Sequence, residues 1–267
     1  MGCGGTSNTA TKNQKTKSTM LEIKVSQLLT ILSYPNCNMS VLDIYSLKKM
    51  VNKYFQSKPH IKVKKGKLDN RLSSITIKGI KSTLGSYSVI ITKNKKITIW
   101  GAKSREQVED ISKSIGKFIT KSIKGIHLGS SEMKIVNITG SYDLKINSLP
   151  IEVICETVED NILFQNDHIP NKRDILVLYN EDLFPGIHWH RGFKNEGERH
   201  MSTTVVITVF RNGKISITGS NDMAKLQLAL QEFIQITEKV LEYKTKENDQ
   251  ILHRIVSNTI NITPQAA

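Results

Sequence analysis

The sequence predicts an α+β fold made of two similar halves, with one antiparallel sheet whose helices all lie on the same side. Three observations carry that prediction. The first is a repeat: residues 87–103 read YSVIITKNKKITIWGAK and residues 205–220 read VVITVFRNGKISITGS, so Lys96–Gly101 falls on Lys214–Gly219 118 positions later. Self-similarity at a fixed spacing marks a duplicated structural unit, and two such units pack most simply about a pseudo-two-fold axis. The second is strand alternation on both sides of a short polar turn in each copy. The third is the long amphipathic helical pattern that follows each copy.

In chain order, residues 1–20 are polar and low in complexity and read as a disordered tail. The apolar run up to Leu32 reads as a strand, closed by the turn-rich Tyr34-Pro35-Asn36-Cys37-Asn38. Ser40 is positioned to cap a helix over Val41–Phe55, where Leu42, Ile44, Leu47, Met50, Val51 and Tyr54 have helical spacing. Lys58–Lys67 is a loop or the start of the next strand. Ser73–Lys78, Tyr87–Thr92 and Lys96–Trp100 are strands, and Ser104–Ile123 is an amphipathic helix. In the second half Lys134–Tyr142 is a strand and Asp143–Ile146 a short helical or looped segment. Ile151–Thr157 and Ile175–Tyr179 read as extended. Ile187–His190, Thr203–Phe210 and Lys214–Thr218 are strands, Asp222–Tyr243 is the last helix, and 244–267 is a polar tail. The expected organisation is therefore a tail at 1–20, repeats at 21–128 and 129–243, and a tail at 244–267.

Alternation assigns faces. Val205, Ile207, Val209, Ile215 and Ile217 share one face, as do Val89, Ile91, Ile97 and Ile99, and these pack on the helices. The opposite face shows Val206, Thr208, Phe210, Ser216 and Thr218 in one copy and Ile90, Thr92, Thr98 and Trp100 in the other. Asn212-Gly213 is a strong hairpin signal that sets the register. A free sheet face that is small, apolar or hydroxylic on a chain of net charge +14 reads as a binding surface.

That charge favours polyanionic partners, nucleic acid first and anionic membrane second. Cys3, Cys37 and Cys155 form no Cys-x-x-Cys pair and are odd in number, which indicates neither a disulfide framework nor a zinc site. An intracellular, reducing location fits, and no apolar run approaches a membrane span. A pseudo-two-fold molecule suits duplex DNA, itself nearly two-fold symmetric. P-loop, Rossmann, Gly-x-Ser-x-Gly and His-Glu-x-x-His motifs are lacking, so an enzyme is not expected.

Several stretches resemble the TATA-binding protein family: Lys134-Ile135-Val136-Asn137-Ile138-Thr139-Gly140-Ser141-Tyr142-Asp143-Leu144-Lys145, Asp182-Leu183-Phe184-Pro185-Gly186, Asn212-Gly213-Lys214-Ile215-Ser216-Ile217-Thr218-Gly219 and Trp100-Gly101-Ala102-Lys103-Ser104-Arg105-Glu106-Gln107. The resemblance covers roughly residues 22–243 and is strongest in the second half. It implies a saddle, a curved antiparallel sheet with helices on the convex face, whose concave face lies on the DNA minor groove. It implies a transcription initiation factor that binds AT-rich promoter DNA and bends it with apolar wedges. Phe184 and Phe210 fall on one wedge pair, Asn137 on a central minor-groove donor, and Thr139, Thr208, Ser216 and Thr218 on the groove floor. In the first half the pattern departs: Thr92 stands where a wedge phenylalanine is expected, with Leu72 its nearest mate. Trp100 replaces a small threonine, and Ser26, on a loose alignment, the first asparagine. Ile90 and Thr98 complete that half of the DNA-facing set. Lys96, Lys103, Arg191, Arg211 and Lys214 are the candidate phosphate contacts. Glu181-Asp182-Leu183 matches the acidic patch with which the family engages a B-type initiation factor, so that factor and the RNA polymerase machinery are expected partners.

No cofactor or metal is expected: His188, His190 and His200 are present, but no cysteine or carboxylate completes a ligand set. Gly192–Ser202 reads as an enlarged loop. Met1-Gly2-Cys3 matches a loose lipidation pattern, which keeps a membrane-attached adaptor among the alternatives. A divergent saddle that binds proteins, or a glycosylase-like DNA-repair accessory, are the others. The expected location is the nucleus, or a cytoplasmic transcription site if the chain is viral.

Overall fold

The computed structural model describes residues 21–55, 58–66, 71–82, 85–159, 174–180, 182–194 and 201–243. The first half runs β1 (Lys24–Ser33), α1 (Ile44–Tyr54), β2 (His60–Lys65), β3 (Leu72–Ser82), β4 (Gly85–Thr92), β5 (Lys96–Ala102) and α2 (Arg105–Ser122). The second repeats that order with β6 (Glu132–Asp143), α3 (Ile151–Glu159), β7 (Ile175–Leu178), β8 (Gly186–Phe193), β9 (Thr203–Phe210), β10 (Lys214–Ser220) and α4 (Met223–Tyr243). The strands form one curved antiparallel sheet in the order β2-β3-β4-β5-β1-β6-β10-β9-β8-β7. Each half thus repeats the other's internal order outward from its first strand, and the two first strands pair at the centre. Leu28 lies opposite Ile138 and Leu29 opposite Asn137, close to the pseudo-dyad. The pseudo-repeat expected from 87–103 and 205–220 is therefore a property of the whole sheet.

Burial follows the alternation. Val89, Ile91, Ile97, Ile99, Val205, Ile207, Val209 and Ile217 are fully buried, and Ile215 nearly so. They pack against Val108, Ile111, Ile115 and Phe118 of α2 and Leu226, Leu230 and Phe233 of α4, which recur at helical spacing. Each such side chain contributes about 1.5–3 kcal/mol on burial, so a one-residue slip of any central strand is heavily disfavoured. Ser104 caps α2 by accepting from the Gln107 backbone N–H, while the Gln107 side chain accepts from the Lys103 N–H.

Two local expectations need correction. Ile151–Glu159 is a helix, not a strand: the chain enters it through Pro150, and Ile151, Ile154 and Cys155 recur at one helical face and are buried. Its β-branched composition had pointed the other way. The cap of α1 is Asp43, which accepts from the Tyr45 and Ser46 N–H groups, and Ser40 lies outside the helix. The lysine-rich stretch after Lys58 forms the edge strand β2. The tails at 1–20 and 244–267, with Gly2 and Cys3, lie outside the described residues.

The two β hairpins that end each half differ at one backbone position. Arg211-Asn212-Gly213 turns with the Gly213 N–H donating to Phe210 at 2.9 Å, and Gly213 has φ +73°. Lys95 donates to Thr92 at 3.1 Å in the equivalent turn, and adopts φ +62° with a side chain. A left-handed φ costs an L-residue about 1–2 kcal/mol that glycine avoids. Lys95→Gly is expected to raise the urea midpoint, adding about 0.5–1 kcal/mol of stability after the entropy of the freer unfolded chain is subtracted.

Candidate nucleic-acid interface

The free face of the second half is built from two rows of side chains crossing β8, β9, β10 and β6. His188, Thr208, Ser216 and Ser141 stand in one row, and His190, Val206 and Thr218 with Thr139 in the next. All are partly exposed, and the row floor carries no acidic or basic chain other than the histidines. Three of the polar groups form one network. The Asn137 amide donates to Thr218 Oγ1 at 2.9 Å and accepts from the Gly219 N–H at 3.0 Å, and the Thr139 and Thr218 hydroxyls are 3.1 Å apart. These bonds fix which way the carboxamide points and leave one of its two N–H donors free for a ligand.

At the outer end of this floor stand the two phenylalanines. A turn on Asn180, which accepts from the Leu183 and Phe184 N–H groups, carries Phe184 toward Phe210. Their ring centroids are 5.6 Å apart, tilted by 54°. Gly186 faces Phe210 across the ladder, where a Cβ would sit 2.6 Å from the Val209 carbonyl oxygen and 3.0 Å from the Phe184 ring. Glycine is what lets the rings meet. His188 stacks on Phe184 at 4.7 Å, and its Nδ1 lies 3.1 Å from Thr208 Oγ1. In the sequence His188 stands out as a metal candidate that no cysteine or carboxylate completes; its position two strand residues beyond Gly186 was the signal for a third ring. Burial, then the neighbouring His188, lowers the His190 pKa.

The first half places its residues by the same rules. Ser74 faces Thr92 as Gly186 faces Phe210, so Leu72 and Phe184 hold matched positions two residues earlier. The Thr92 hydroxyl is committed to its own hairpin, donating to the Lys96 carbonyl at 3.0 Å. Ile90, Thr98 and Trp100 stand on the free face as expected, and the fully buried tryptophan is Trp189.

Two assignments change. Leu29 pairs with Asn137 and Gln27 with Thr139, so the pseudo-dyad puts Gln27, not Ser26, on the position of Asn137. Ser26 sits at a bulge and donates to the Thr139 carbonyl at 3.0 Å. Leu28 and Ile138, paired and both buried, align β1 on β6. Arg191 does not join the phosphate-facing set. Its Nε is 2.7 Å from Glu232 of α4 and its Nη1 3.8 Å from Asp174, with 11% of the side chain exposed, because strand alternation turns it to the helix side.

Arg211 remains half-exposed but is paired with both carboxylate oxygens of Glu152. Lys96, Lys103 and Lys214 are exposed. Beyond Phe184, Leu183 is 82% exposed beside the exposed Asp182, while Glu181 and His200 lie outside the described residues. β8 runs on through Gly192 and Phe193, so the segment read as a loop from 192 is partly strand. No group of metal ligands occurs among the described residues, and no described helix is long and apolar enough to cross a membrane.

Comparison with known proteins agrees with this architecture. Residues 132–240 match the family described as transcription factor TFIID, or TATA-binding protein. A TATA-box-binding protein of Tetrahymena thermophila is 24% identical over 66% of this chain and 59% of its own length. TATA-box-binding protein 2 of Entamoeba histolytica is 28% identical over 56% of this chain and 58% of its own. The chain thus matches somewhat under two thirds of the length of these relatives. The solved Methanococcus jannaschii TBP superposes with a TM-score of 0.51 at 19% identity, covering 82% of this chain and 99% of that one, and shows the same fold. The family match lies in the second half and the saddle spans both, so the chain is similar to the TATA-binding protein family in sequence over residues 132–240 and to a TATA-binding protein in fold throughout.

Proposed function

We propose that this protein is a transcription initiation factor that lays its free sheet face on the minor groove of AT-rich duplex DNA, bends it through Phe184 and Phe210, and recruits a B-type initiation factor and RNA polymerase. The observation that carries this reading is the uncharged Asn137–Thr139–Thr218 floor with its remaining amide donor, flanked by a tilted phenylalanine pair. The minor groove of A·T and T·A pairs offers the same acceptors in either orientation, and a G·C pair adds an amino group that a donor cannot satisfy. Thr208 and Ser216 extend the small floor, Gln27 supplies the second carboxamide, and Leu72, Ile90, Thr92, Thr98 and Trp100 continue the surface into the first half. The exposed Lys96, Lys103 and Lys214, with Arg211 at its edge, would position phosphates without reading sequence. Leu183 and Asp182, with Glu181 next to them, form the surface for the initiation factor. This activity is non-enzymatic and belongs in the nucleus.

A gel-shift titration of AT-rich and GC-rich duplexes across a salt series tests it. AT-rich DNA is expected to bind at least tenfold tighter at every salt, each mismatched pair costing about 1–3 kcal/mol, while both affinities fall as salt rises. Equal affinity at all salts would sink the minor-groove reading.

A further inference from the structure

The two halves are not chemically alike on the free face. Where the second half has Leu178, His190, Val206 and Thr218, the register of the first half puts Lys62, Lys78, Ser88 and Trp100. Trp100 stands beside Ser88 and Ile90, with Thr76 and Lys78 on the next strand and Lys62 on the strand beyond. Together these side chains line an open cleft of about 480 Å³, within the range of small-ligand sites, about 300–1,000 Å³. Lys62 and Lys78 are exposed and have no ion-pair partner among the described residues. Thr218, at the position of Trp100 in the other half, spends its hydroxyl on the Asn137 network; an indole there closes no such network and offers a ring.

We propose that this cleft binds a nucleotide of an unpaired DNA strand, its base against Trp100 and its phosphates at Lys62 and Lys78. A flat aromatic surface beside a row of cations is the arrangement by which proteins hold single strands, since every base has a π-face and every linkage a charge. The hydroxyls of Thr76 and Ser88 are sequence-tolerant partners for base edges or sugar. A duplex keeps its bases stacked and covers this face without seating a base on Trp100, so an unpaired strand and a duplex are alternative occupants of the first half. The site does not depend on the duplex reading of the second half.

The chain has two tryptophans, and Trp189 is fully buried, so quenching of emission by an added strand reports on Trp100. The probe is a twelve-residue oligothymidylate, compared with an abasic strand of the same length and charge. The thymidylate is expected to quench emission and to bind about tenfold tighter than the abasic strand, the worth of one stacked base. Read by the anisotropy of an end-labelled strand, Trp100→Thr abolishes that preference and Trp100→Phe keeps most of it. Far-ultraviolet circular dichroism and the Trp189 emission establish that each variant is folded. Equal affinity for the two strands overturns the proposal, as does a Trp100→Thr protein that still prefers thymidylate. AT preference in duplex binding, measured on the same protein, stands or falls separately.

Discussion

Replacing Phe184 and Phe210 together by alanine is expected to abolish bending at one end of the bound duplex while the protein stays folded. Both rings are half-exposed on the free face, so their loss leaves the helix-packed core of Ile207, Val209 and Ile217 untouched. Truncating a pair of aromatic anchors that enter a ligand costs about 2 kcal/mol or more in binding, roughly thirtyfold in affinity. Part of that is returned, because the DNA no longer has to unstack a base step at a few kcal/mol. Bending should therefore respond more strongly than affinity. End-to-end energy transfer across a doubly labelled AT-rich duplex measures the first, and a titration on the same sample the second. The equivalent change in the first half, Leu72→Ala, removes one aliphatic side chain where Thr92 is already tied to its hairpin, and a smaller change in bend is expected. If the double variant bends DNA as the unaltered protein does, Phe184 and Phe210 are not wedges.

That inequality between the halves was partly legible in the sequence. The β9-turn-β10 copy announced itself because its buried residues alternate perfectly and its turn carries Asn212-Gly213, both local signals. Thr92 and Trp100 could be read as departures for the same reason. What the sequence hid was register across strands that are distant in the chain. Gln27 takes the place of Asn137 only once β1 and β6 are paired with their bulges, and a bulge shifts every side chain after it to the other face. The facing of Lys62 and Lys78 likewise depends on β2 pairing with β3, and β2 had no clear pattern of its own. α3 misled because Ile and Val favour strands on an exposed surface, yet here tertiary burial of Ile151 and Ile154 decides. Arg191 misled differently. A basic residue beside a histidine on a basic chain suggests a phosphate contact, but odd and even positions of one strand face opposite ways.

Arg191→Ala is accordingly expected to damage the fold and not the interface. The guanidinium donates through Nε and Nη2 to the two carboxylate oxygens of Glu232, at 2.7 and 3.3 Å, donates to the Gly192 carbonyl, and lies 4.7 Å from the Phe193 ring. The Arg191 and Glu232 side chains are 11% and 12% exposed. Removing the cation leaves the Glu232 carboxylate nearly buried without its partner, and breaking a buried pair in this way costs about 3–5 kcal/mol, a large share of a stability of about 5–15 kcal/mol. Arg191→Met with Glu232→Leu replaces both charges by apolar groups of similar volume and should recover most of the loss, because the penalty arises from the orphaned charge. Urea unfolding measures both variants. Duplex affinity and its salt slope, determined well below the unfolding midpoint, should match the unaltered protein in each, since a residue that neutralised a phosphate would lower the slope by about one. A reduced slope with unchanged stability would return Arg191 to the DNA face.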